Sequence, residues 1–97
     1  MHPCKRVEIV VEEAQATRLA ARLQSLGVPG YTMIPRARGY GDRGKRRGDD
    51  PTGTLTNCYF LVACDAEQAK RIATEVRELL SQAGGLCLVS DAELMTH

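Results

Sequence analysis

Residues 55–64, Leu-Thr-Asn-Cys-Tyr-Phe-Leu-Val-Ala-Cys with Asp65 directly after them, decide how the rest of the chain is read. Successive side chains of a strand point to opposite faces, so Tyr59, Leu61 and Ala63 share one face and Cys58, Phe60, Val62 and Cys64 the other. Both faces are apolar, which makes this a central strand whose sheet is covered on both sides. Asp65 and Gln68 then form a capping-box pair. Ala69, Ile72, Ala73, Val76, Leu79, Leu80 and Ala83 follow at helical spacing, predicting a helix that Gly84-Gly85 ends.

Working back from this strand, residues 39–54 carry Gly39, Gly41, Gly44, Gly48, Pro51 and Gly53 with almost no apolar side chains, which reads as one long loop. Before it, Tyr31 to about Arg38 reads as a second strand, placed at a sheet edge because Pro35 has no N–H for a ladder. Leu19, Leu23 and Leu26, with Ala20, mark a helix from Ala14 that stops at Gly27. Lys5 to Val11 reads as the first strand, with Val7, Ile9 and Val11 alternating against Lys5 and Glu8. Downstream, Leu86 to Val89 reads as a short last strand, and the residues 90–97 are too thin in apolar content to assign. The order is βαββαβ, the ferredoxin-like α+β fold: a four-stranded antiparallel sheet with two helices on one face. The face without helices then calls for other subunits, and the expectation is a homo-oligomer.

A chain of 97 residues holds one domain with a modest core. No apolar run approaches the ~20 residues of a membrane helix, and no signal peptide is visible, which points to the cytoplasm and away from membrane insertion. Net charge is +1, yet residues 36–47 hold six cations (Arg36, Arg38, Arg43, Lys45, Arg46 and Arg47) against Asp42 alone. One local anion site on a near-neutral body fits this better than a nucleic-acid surface, which is basic overall. Arg38-Gly39-Tyr40-Gly41 imitates the start of an RNA-recognition signature but lacks the strand aromatics that stack bases. The four cysteines, Cys4, Cys58, Cys64 and Cys87, form no C-x-x-C pair, so zinc and thioredoxin-like chemistry are not indicated and burial is. His2 and His97 lie at opposite ends, and no Ser or Cys has a nucleophile-elbow context, so the sequence does not read as an enzyme.

Glycines let backbone N–H groups approach an anion, and Arg forks match phosphate oxygens. The segment Gly39-Tyr40-Gly41-Asp42-Arg43-Gly44-Lys45-Arg46-Arg47 therefore suits a phosphorylated small molecule, against the plainer alternative of a solvated charged loop. Gly27-Val28-Pro29-Gly30-Tyr31-Thr32 followed by Gly39-Tyr40-Gly41 resembles the run at the second strand and T-loop base of PII signalling proteins. The segment 41–46 and the ending Gly84-Gly85-Leu86-Cys87-Leu88-Val89-Ser90-Asp91-Ala92-Glu93 are more similar to the carboxysome-associated and bicarbonate-linked PII-like group.

That resemblance implies a single PII-like domain over residues 1–97, with a T-loop at about 39–54 and a B-loop at about 83–86. It implies a non-enzymatic homotrimer with adenine-nucleotide sites in the clefts between subunits. Gly39, Tyr40, Gly41, Arg43 and Arg46 match the T-loop side of that site, and Gly84, Gly85 and Leu86 the B-loop side. The G-D-G-K B-loop and C-terminal R-x-R of the nitrogen-sensing type are absent, as are its T-loop Tyr modification site and its Gln for Mg-ATP with 2-oxoglutarate. ADP or AMP, with cyclic AMP as a further candidate, suits the remaining cations. Arg36, Arg38 and Arg43 are the expected bicarbonate site, and the expected protein partner is a bicarbonate transporter or carboxysome component. The competing class is a CutA-like structural or docking trimer without nucleotide.

Overall fold

β-branched residues at every second position give Val7, Ile9 and Val11 a buried file, and the strand they belong to, β1, runs His2–Glu12. The computed structural model describes residues 1–39 and 56–95. The chain leaves β1 through a 3-10 turn at Glu13–Gln15 and enters α1 (Ala16–Ser25) with no side-chain cap, so the helix starts two residues later than Ala14. Gly27 ends it at φ +72°, a conformation that suits glycine. Then come β2 (Thr32–Ala37), β3 (Asn57–Cys64), α2 (Ala66–Ala83) and β4 (Leu86–Leu94).

The sheet order is β2-β3-β1-β4, antiparallel throughout. β3 is central and β2 lies at an edge, as the apolar faces of one and Pro35 of the other require. Cys58, Phe60, Val62 and Cys64 join Val7, Ile9 and Val11 under Leu19 and Leu23 of α1 and Ala69, Ile72, Val76 and Leu79 of α2. The Phe60 ring meets Tyr31 at a centroid distance of 5.6 Å. Both helices therefore sit on one sheet face.

Three local expectations change. Ala73 is exposed, because the buried stripe of α2 follows Ala69, Ile72, Val76, Leu79 and Ala83 and leaves Ala73 beside it. Lys5 shares the file of Val7 rather than opposing it, and its ammonium pairs with Asp91 across β4. The last strand continues past Val89 to Leu94, since its ladder with β1 runs from Val10 opposite Leu86 to His2 opposite Leu94. Thin apolar content did not stop this strand, because backbone pairing and cross-strand polar contacts carry it.

The capping box at α2 forms as expected. The Gln68 backbone N–H donates to Asp65 Oδ1 at 2.7 Å, and the Asp65 N–H donates to Gln68 Oε1 at 3.2 Å. Gln68 Nε2 also donates to the Gly27 carbonyl at 3.1 Å, fastening the start of α2 to the turn after α1. Arg22 and Glu75, 3.3 Å apart, add a partly exposed ion pair between the helices worth at most ~1 kcal/mol.

The opposite sheet face carries no helix. Direct cross-strand partners share a face, so the register places Ile34, Tyr59, Val10 and Leu86 in one row and Thr32, Leu61, Glu8 and Leu88 in the next. Ile34 is 52% exposed and Leu88 56%. An apolar surface of this kind across four strands marks an interface rather than a solvated surface.

Candidate functional site

β2 does not reach its end in regular register. Ile34 faces Tyr59 and Ala37 faces Asn57, so Pro35 and Arg36 oppose Cys58 alone and form a bulge. Arg36 sits at φ +57°, a left-handed conformation that costs a non-glycine residue ~1 to 2 kcal/mol. Pro35 contributes no N–H to the ladder there, and the bulge leaves Arg36, Arg38 and Gly39 exposed together where the chain departs from the sheet. Tyr40, Gly41, Arg43 and Arg46 lie outside the described residues.

Gly84 and Gly85, at φ +80° and +122°, occupy backbone conformations that side-chain-bearing residues rarely adopt. The Gly84 N–H caps α2 by donating to the Leu80 carbonyl at 2.8 Å. Leu86 starts β4 opposite Val10 and is exposed. Ala37 pairs with Asn57, Asn57 with Glu12, and Leu86 with Val10. The arginine-bearing end of β2 and the Gly84-Gly85-Leu86 turn therefore occupy the same end of the sheet.

They do not meet within one chain. β2 and β4 are the two edges, three strand spacings or roughly 14 Å apart. One edge offers cations and the other glycine backbone. An open groove of about 360 Å³ lies elsewhere, between Leu26 and the Lys70, Arg71, Thr74 and Glu75 face of α2, and no expected site residue lines it.

Among the described residues no group of His, Cys, Asp and Glu could hold a metal ion, and no helix is long and apolar enough to cross a membrane. All four cysteines are free. Burial pushes the Cys58, Cys64 and Cys87 thiols up, with Glu13 adding to the effect at Cys58 and Asp65 and Cys4 at Cys64. These thiols stay protonated and pack as small hydrophobes.

One polar cluster was not legible in the sequence. On the open sheet face the Tyr59 hydroxyl donates to Glu8 Oε2 at 2.7 Å, Arg6 Nε lies 3.6 Å from Glu8 Oε1, and Arg6 Nε donates to Ser90 Oγ at 3.2 Å. The bond to Glu8, with burial and the Glu8 charge, pushes the Tyr59 phenol up against a smaller opposing effect of Arg6. The only signal was the shared parity of Arg6 and Glu8. Tyr59 and Ser90 join them only once the registers of β3 and β4 on β1 are known.

The model of the nitrogen regulatory protein P-II family matches residues 4–96. The chain belongs to this family. Among solved structures, a PII-like signalling protein from Thermus thermophilus is 28% identical, covering 96% of this chain and 89% of that one at a TM-score of 0.75. CPII from Thiomonas intermedia, a nitrogen regulatory PII-like protein bound to ADP, AMP and bicarbonate, is 21% identical, covering 99% of this chain and 97% of that one at 0.82. The apo form of CPII is 19% identical, covering 96% and 92% at 0.79. No curated protein matches the sequence. The P-II fold accounts for the element order, the sheet order and the position of both helices.

Proposed function

We propose that this P-II family chain, a single domain over residues 1–97, is a non-enzymatic cytoplasmic regulator that senses ADP or AMP together with bicarbonate. The sites lie in clefts between the subunits of a homotrimer. Gly39, Tyr40, Gly41, Arg43 and Arg46 of the T-loop segment 39–54 wrap the nucleotide phosphates. Gly84, Gly85 and Leu86 of the B-loop segment 83–86 approach it from the neighbouring subunit. Bicarbonate is held by Arg36, Arg38 and Arg43, and the T-loop carries the signal to a partner in inorganic-carbon metabolism, a bicarbonate transporter or a carboxysome component.

The observation that carries this reading is the placement of two half-sites at one end of the sheet on opposite edges. Exposed arginines and a glycine stand on β2, and a glycine turn precedes β4. A nucleotide touching both halves fits between chains. The likeness to CPII, which binds ADP, AMP and bicarbonate, supports the choice of ligands. Light scattering is expected to give three times the 10.6 kDa chain mass. A monomer at micromolar concentration would contradict the inter-subunit site.

The bicarbonate step rests on cations in excess of what a diphosphate uses. An anion beside the nucleotide drives a loop change only through different affinity for the two loop states, and such coupling is reciprocal. Nucleotide affinity measured with bicarbonate is expected to differ from that in chloride at equal pH and ionic strength, by about 5- to 150-fold for coupling of ordinary size. Equal affinities in the two salts would remove bicarbonate as a co-effector.

A further inference from the structure

The open sheet face is apolar in its outer parts, where Ile34 and Leu61 stand toward β2 and Leu86 and Leu88 line β4. Its middle is not. Arg6, Glu8, Tyr59 and Ser90 form a connected polar row across β3, β1 and β4, with Tyr59 bonded to one Glu8 oxygen and Arg6 beside the other. One cation faces one anion, so the row is neutral and needs no counter-charge from whatever covers it. A bilayer or an apolar ligand would bury this ion pair in a medium that penalises it. A cationic or anionic partner finds no net charge to read. A copy of the same face supplies apolar area for the outer parts and presents no like-charge excess at the centre.

We infer that Arg6, Glu8, Tyr59 and Ser90 form a polar island that docks against a second copy of this chain and fixes the register in which the open sheet faces meet. The inference rests on the homotrimer reading above and assigns that interface its positioning residues. An interface that is apolar throughout tolerates sliding. A buried polar network tolerates it poorly, because each displaced register strands a charge away from its partner.

The test is a concentration series by sedimentation velocity on the unmodified chain, Arg6→Met, Glu8→Leu, the double variant and Tyr59→Phe, with circular dichroism to confirm folding. Each charge-removing single variant leaves the other charge buried and unpaired, and is expected to raise the dissociation concentration at least ~100-fold. The double variant, with no charge left, is expected to return to within ~10-fold of the unmodified chain. Tyr59→Phe removes one hydroxyl and keeps the fold testable should the charge variants unfold; a rise of ~5-fold or more is expected. An unmodified chain that assembles while Arg6→Met, Glu8→Leu and Tyr59→Phe assemble equally well overturns the island alone. Losses that simply add in the double variant overturn it too. An unmodified chain that stays monomeric overturns the trimer reading beneath it.

Discussion

Phe60→Ala is expected to destabilise the folded chain by ~3 to 5 kcal/mol. Phe60 has no exposed surface, lies between Ile9 of β1 and Met33 of β2 in the sheet, and tilts against the Tyr31 ring. Its removal opens a cavity where four parts of the core converge, and the backbone of a central strand cannot close it. Domains of ordinary stability hold ~5 to 15 kcal/mol in total, so the loss takes a large share of what keeps this chain folded. Urea unfolding at fixed protein concentration measures it, because assembly makes apparent stability concentration-dependent. Ala63→Ser on the exposed end of the other face of β3 serves as a control, with a change within ~0.5 kcal/mol. A Phe60→Ala loss below ~1 kcal/mol would contradict the core described here.

Arg43→Ala is expected to weaken ADP by about 10- to 150-fold and adenosine hardly at all. A charge-assisted contact to phosphate is worth ~1.5 to 3 kcal/mol, and each ~1.4 kcal/mol is a factor of ten in affinity. Adenosine has no phosphate, so it reports the adenine and ribose contacts alone. Calorimetry on the variant with both ligands separates the two contributions. Equal losses for ADP and adenosine would contradict a phosphate role for Arg43.

The sequence made much of this arrangement readable because its decisive segments carry strong period signals. Both apolar files of β3, the stripe of α2 and the Asp65–Gln68 box each depend on neighbours a few residues apart, and each forms as expected. β4 beyond Val89 was not readable, because what holds Ser90 to Leu94 is pairing with residues near the other end of the chain. The Arg36 bulge was equally hidden. Pro35 marked an edge, but the extra residue on β2 shows only against the register with β3. Of the candidate site, Arg36, Arg38, Gly39 and the Gly84 to Leu86 turn came together at one end of the sheet, and their separation across its width needed the strand order. The polar row on the open face required three strands in register before any of its contacts existed.

Calorimetric titration of the unmodified chain with ADP and AMP tests the central claim most directly. The account predicts saturable binding of one nucleotide per chain by a trimer, with affinity that responds to bicarbonate. A folded trimer that binds none of AMP, ADP, ATP or cyclic AMP at millimolar concentration would contradict it and leave a docking trimer in its place.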